Sequence, residues 1–200
     1  MDSLYYFDLL GTMVFAISGC SAASGKHIDA FGVTFTGFVT AIGGGSLRDV
    51  FLNTSPVWVG DGNYLIAILV GVAVSIFFKA ALSKLSRTLF LFDALGIGFF
   101  TIVGLQKSLE FGSHPAAALV LGMFSAVMGG VTRDTLMNET PLIFRKEIYA
   151  TACLCGAGLY LLLSTLNVLP LINMLLSAGT VVLIRVVSVR YKLSLPIIGG

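Results

Sequence analysis

Apolar runs of about the twenty residues that a helix needs to cross a bilayer alternate along this chain with short polar punctuation, and seven of them can be marked out near 4–24, 30–52, 60–79, 89–108, 115–138, 147–166 and 170–189. The separators are Gly25-Lys26-His27, Ser55-Pro56, Lys84-Leu85-Ser86-Arg87, Gly112-Ser113-His114-Pro115, Pro141, and the stretch from Asn167 to Pro170, all of them helix-breaking or turn-forming residues. The pattern predicts an all-α integral membrane protein with seven transmembrane helices in a single membrane domain over 1–200. Composition agrees: 56% of the 200 residues are hydrophobic and 11% charged, against roughly a quarter charged in soluble domains, and the mean hydropathy is +0.97. Asp2 and Asp8 stand where a secretory signal would carry basic residues, so the first run reads as a retained helix. A net charge of +2 leaves no patch able to neutralise phosphates, and no nucleic-acid partner is expected.

Basic residues sort the loops into two sides, because cytoplasmic loops collect Lys and Arg. With the N-terminus outside, the inner side receives Lys26, Lys79, Lys84, Arg87, Arg145, Lys146, Arg185, Arg190 and Lys192, and the outer side only Lys107. Nine against one places the C-terminus in the cytoplasm.

Sliding the chain along itself by 85 positions aligns FDLLG at 7–11 with FDALG at 92–96, and the register holds without a gap. Ile17 and Gly19 meet Ile102 and Gly104; Gly37 and Ala41 meet Gly122 and Ala126; Gly44, Gly45, Arg48 and Asp49 meet Gly129, Gly130, Arg133 and Asp134; Asn53, Pro56, Tyr64 and Gly71 meet Asn138, Pro141, Tyr149 and Gly156. Apolar sequence matches Leu and Val by chance, but not Asp, Arg, Asn and Pro together. Each unit holds three spans, so the second copy enters the membrane from the other side. The expected architecture is two inverted three-helix repeats, about 4–79 and 89–166, plus a seventh helix at about 170–189 that stands outside them. Transporters and channels build sites between such repeats.

The second helix of each unit carries small residues four apart, Gly37, Ala41 and Gly45 in one and Gly122, Ala126 and Gly130 in the other, which let backbones approach closely. Gly43, Gly44 and Gly45 in a row, and Gly129 with Gly130, cost more helix stability than packing requires. A kink or break is therefore expected there, with its freed backbone groups lining a wet path. Arg48-Asp49 and Arg133-Asp134 follow directly. Charges at membrane depth need partners, and neighbouring helical residues diverge by about 100°, which sets Arg and Asp of one dipeptide poorly for each other. The expected pairs are Asp8 with Arg48 and Asp93 with Arg133, one near each mouth, either as fixed bridges or as charges that set the field of a pore. Thr36, Thr40, Ser46, Ser125 and Thr132 lie on the same helices and could offer oxygens to a cation, although such hydroxyls commonly bond back to the helix.

Little other chemistry is encoded. Cys20, Cys153 and Cys155 read as small apolar packers, and His27 and His114 have no carboxylate or cysteine at ligand spacing, so no metal site or cofactor is expected. There is no catalytic triad, HExxH or P-loop, and the chain does not read as an enzyme.

Two glycine runs, each followed by xxRD, with FDxxG opening each half of a seven-span chain, resemble the prokaryotic branch of the trimeric intracellular cation (TRIC) channels, a family also labelled a glycine transporter domain. The resemblance covers nearly the whole chain. It implies a homotrimer in the prokaryotic inner membrane, surrounded by lipid, in which each subunit passes monovalent cations, chiefly potassium and also sodium, between the kinked helices two and five. Animal members carry a lysine before a glycine run and bind a phosphoinositide there; Ile42 and Met128 stand in those places, and that property does not carry over. Their basic fourth span is represented only by Lys107. The alternative function is a secondary transporter for a small neutral amino acid such as glycine.

Overall fold

The computed structural model describes residues 2–24, 26–78, 88–145, 148–194 and 196. Lys79, Lys84, Arg87 and Lys146 of the charge count, and Gly25 of the first separator, lie outside the described residues. The long helices are α1 (Asp2–Ala23), α2 (Ala30–Phe51), α3 (Gly62–Phe77), α4 (Thr88–Glu110), α5 (Pro115–Leu136), α6 (Ala150–Thr165) and α7 (Pro170–Tyr191). A single helical turn, Val57–Gly60, precedes α3, and a 3-10 turn, Leu142–Phe144, stands in the corresponding place before α6. Five helices are long and apolar enough to cross a membrane, whereas α3 and α6 are shorter apolar helices of 16 residues each.

The inside and outside of the bundle follow the solvent. Phe31, Phe77, Leu162 and Leu169 are among many large apolar side chains left exposed, while Arg48, Arg133 and Arg185 are fully buried. A hydrocarbon surround accepts the first set and rejects the second. Helix starts are set locally. Asp29 accepts the Gly32 amide at 2.8 Å at the head of α2, and Pro115 and Pro170 occupy first-turn positions of α5 and α7, where a missing N–H costs nothing. Helices α2 and α5 end alike. The amides of Leu52 and Thr54 donate to Arg48 and Asp49, and those of Met137 and Glu139 to Arg133 and Asp134. Asn53 and Asn138 turn the chain at φ of 55° and 54°, a conformation that asparagine tolerates better than most residues.

The centre is a crossing of α2 over α5. A Cβ built on Gly44 would lie 1.8 Å from the carbonyl oxygen of Ser125, and one on Gly129 would lie 2.6 Å from that of Thr40. The two contacts are the same contact made twice, since 40 and 125, like 44 and 129, match in the self-alignment. Phe15 of α1 and Phe100 of α4, another matched pair, stack at 5.1 Å beside it. Both helices run unbroken through Gly43, Gly44, Gly45, Gly129 and Gly130, so of the expected kink or break the break is corrected. Here glycine permits backbone contact across the crossing, and that packing offsets the helix propensity it forfeits.

The third contact of each half is where the halves differ. Gly71 of α3 sits on Met13 of α1, its built Cβ 2.6 Å from that carbonyl. The matched Gly156 of α6 faces the Ser177 carbonyl of α7 at 2.9 Å instead, and Gly98, the match of Met13, faces Ala178 of α7 at 3.0 Å. Helix α7 thus wedges between α4 and α6, whereas their counterparts α1 and α3 touch each other directly.

Gly44→Ala is expected to lower stability by about 1–3 kcal/mol, the usual cost of overfilling a core. Gly43→Ala, whose Cβ would meet nothing nearer than Thr132 Oγ1 at 3.5 Å, is expected to leave it nearly unchanged. Thermal midpoints in detergent check both, and equal shifts would show that the crossing is not the tight point.

Candidate functional site

Beyond each end of the crossing lies a buried cluster built on Arg-Asp. In the first, Arg48 Nε donates to Asp49 Oδ1 at 2.8 Å, with Arg48 Nη2 also 2.8 Å from that oxygen. Lys107 Nζ of α4 reaches the same oxygen at 2.8 Å. The other carboxylate oxygen of Asp49 accepts the amide of Val57 at 3.2 Å and so ties the turn after α2 to the cluster. Asp8 of α1 accepts the hydroxyl of Tyr64 at 2.9 Å. In the second, Arg133 Nε donates to Asp134 Oδ1 at 2.8 Å, and Asp134 Oδ2 accepts the Leu142 amide at 3.1 Å. Arg133 Nη1 donates to Asp93 at 2.7 Å and to Ser18 Oγ at 2.7 Å. Tyr149 donates its hydroxyl to Asp93 at 3.3 Å.

The structure places Asp93 on Arg133, as the pairing argument expects, but it corrects the other half. Among the described residues no ion contact joins Asp8 to Arg48; both line a small cavity with Thr12, Ser46 and Tyr64. It also corrects the expectation that adjacent Arg and Asp cannot meet. The 100° divergence governs where side chains leave the helix, and the long arginine stem curls back over its neighbour. Desolvation makes that contact worth the lost rotamer freedom.

Lys107 and Arg185, which the charge count assigns to loops, belong to the clusters. Lys107 has 14% of its side chain exposed. Arg185 is fully buried, its guanidinium 4.6 Å from the Tyr149 ring and 5.1 Å from that of Phe90, and its Nη1 donates to the Ile148 carbonyl at 3.0 Å. Arg48 and Lys107 therefore stand with Asp8 and Asp49, and Arg133 and Arg185 with Asp93 and Asp134, two charges of each sign at either end. The position of Arg185 inside an apolar run was the available signal. Tyr64 and Tyr149 were aligned with each other, but an alignment cannot show that their hydroxyls reach Asp8 and Asp93.

The remaining candidates divide. Thr36, Thr40 and Thr132 donate to the carbonyls of Gly32, Thr36 and Met128, four residues back. Ser46 accepts the Trp58 indole N–H at 3.0 Å, and Ser125 is buried with no partner among the described residues. A Cβ on Gly130 would lie 2.8 Å from Tyr149 Oη, so this glycine leaves room for the tyrosine at Asp93. His114 caps α5, its Nδ1 taking the Ala116 amide at 3.3 Å. The three cysteines are free, and no metal-holding group of His, Cys, Asp or Glu exists among the described residues. At the surface Lys26 bridges to Glu139 and donates to the Met137 carbonyl at 3.3 Å.

A family model described as Glycine transporter matches the chain twice, over residues 5–80 and 90–165, which is the register of the self-alignment. The UPF0126 inner membrane protein YadS of Escherichia coli K12 is 36% identical over 200 residues, covering 96% of this chain and 95% of that one. A UPF0126 membrane protein of Vibrio cholerae is 35% identical over 195 residues, covering 96% and 82%. Among solved structures, the TRIC trimeric intracellular cation channel orthologue from Rhodobacter sphaeroides superposes with a TM-score of 0.90 at 31% identity, covering 96% of this chain and 100% of that one. This chain belongs to the prokaryotic TRIC family. Both arginine phrases lie inside the two segments matched by the Glycine transporter model, whereas α7 and Arg185 lie beyond them. The second cluster thus takes one of its cations from outside the repeat.

Asp93→Asn is expected to cost about 3–5 kcal/mol, because it strips the charge from a buried partner of Arg133, and Asp8→Asn distinctly less; thermal unfolding compares them, and an equal loss would refute the asymmetry. At the surface, Lys26 holds the Glu139 carboxyl below the ordinary glutamate value. A lowered folded value means that the bridge stabilises above the unfolded value and is lost as pH falls through the folded one. The difference in midpoint between the wild type and Glu139→Gln should therefore be present at neutral pH in low salt and vanish below the usual glutamate range.

Proposed function

We propose that this chain is a channel for monovalent cations, chiefly potassium, in the inner membrane of a prokaryote, with a pore in each subunit between α2 and α5 and three subunits to the assembly. The observation that carries the reading is the reciprocal crossing of α2 and α5, with a charge-balanced arginine cluster beyond each end. An intramembrane arginine serves a pathway or a partner by default, and paired clusters at the two ends of one crossing suit a path that runs along it. The likeness to the Rhodobacter TRIC cation channel supports both permeation and the trimer.

The same reading takes all seven helices as spans and the halves as inverted repeats. With Arg185 and Lys107 inside the membrane, eight basic residues remain for one side, which supports an outer N-terminus and an inner C-terminus. On this orientation the Arg48 cluster is the outer one. The family model's description favours the competing reading as a glycine carrier. Unbroken helices weigh against it, since a carrier of that kind aims the N-termini of broken helices at a substrate carboxylate.

Purified protein in liposomes decides between them. Potassium flux without saturable glycine uptake is expected, with Arg48→Ala and Arg133→Ala both altering the flux. Saturable glycine uptake without ionic conductance would overturn the proposal.

A further inference from the structure

The two clusters share a sequence phrase but not a state. At the inner end Arg133 Nη1 is held twice over, by Asp93 and by Ser18, each at 2.7 Å; only its Nη2 lacks a hydrogen-bond partner among the described residues. The ring of Tyr149, whose hydroxyl donates to Asp93, carries the Arg185 guanidinium at 4.6 Å. At the outer end Arg48 Nη1 has no partner among the described residues, although the side chain is fully buried. It borders a cavity of about 10 Å³, shared with Asp8, Thr12, Ser46 and Tyr64, close to the space that one water requires.

The cause is visible in the chain. The match of Ser18 in the second repeat is Val103, which has no hydroxyl to offer. Val103 lies one turn before Lys107, whose ammonium reaches Asp49, and it holds in α4 the repeat position from which Ser18 of α1 reaches Arg133. The outer arginine thus lacks a fixed ligand that the inner one has, and it stands across a water-sized gap from Asp8, a carboxylate that Tyr64 holds but that no cation contacts among the described residues.

We infer that the outer cluster is the one that switches, Arg48 moving between Asp49 and Asp8 across this cavity, while the inner cluster is the fixed end. Two arrangements of one guanidinium between two carboxylates give the bistable element that gating requires. Lys107 makes the exchange feasible, because it keeps Asp49 paired when Arg48 leaves. The inference rests on the pathway reading above, as the regulation of that same site.

The test restores the missing ligand. Val103→Ser, with Val103→Thr as a second variant that preserves shape, is made in protein carrying Cys20→Ala, Cys153→Ala and Cys155→Ala. Solvent access is read as the rate at which a small thiol reagent modifies Ser46→Cys beside the outer cavity, and Val131→Cys at the matched inner position. Ser46→Cys should react faster than Val131→Cys, and either Val103 variant should slow it by about tenfold, the shift that one hydrogen bond to a charged group can produce, with a parallel fall in open probability in planar bilayers. Equal rates at the two positions, or an outer rate that neither Val103 variant changes, would overturn the inference. Loss of potassium current from the parent protein with this pattern of rates intact would remove the channel reading and support the switch.

Discussion

Two helix backbones touch at the centre of this protein, and no side chain fits between them. Gly44 lies on the Ser125 carbonyl and Gly129 on that of Thr40, so α2 and α5 are held together at their crossing. Arg48 and Arg133 each follow a contact glycine by one turn, four residues on, and the crossing sends them to opposite ends of the bundle interior. Once there, they are fully buried. Their adjacent aspartates, the tyrosines of α3 and of the segment before α6, and the turns capped by Asp49 and Asp134 all answer that burial.

A buried arginine with one carboxylate would satisfy charge but leave the second acid of each half unbalanced. The fold solves this differently at its two ends. Lys107 enters from α4 at one, and Arg185 from α7 at the other. Helix α7 is therefore more than an appendage to the duplicated pair. It takes the place between α4 and α6 that a strict repeat would close, and it brings a cation that the duplicated sequence lacks.

Differences at individual matched positions then separate the surroundings of the two arginines. Ser18 against Val103 and Arg185 against no counterpart leave Arg133 Nη1 held by two partners and Arg48 Nη1 with none among the described residues, beside a gap. The Ser18–Val103 difference replaces a hydroxyl with apolar volume. In a low-dielectric interior it matters, since one hydrogen bond to a charged group is worth more there than at a surface.

Periodicity and self-similarity made the membrane class, the helix positions, the duplication and the arginine phrases legible, because a bilayer imposes length and apolarity on each segment and matched polar residues survive chance alignment. Asp93 was legible as the partner of Arg133 for the same reason, a charge needing a charge at similar depth. What the glycines do was decided only in three dimensions. A glycine run looks the same in sequence whether it breaks a helix or lets two helices touch, and the presence of a carbonyl at 1.8 Å distinguishes the cases. So too with Arg185 and Lys107, which sequence assigns to the nearest loop and folding draws inward. Where a long flexible cation ends depends on which carboxylates and rings the other helices bring within its reach, and that is a property of their packing, not of its place in the chain.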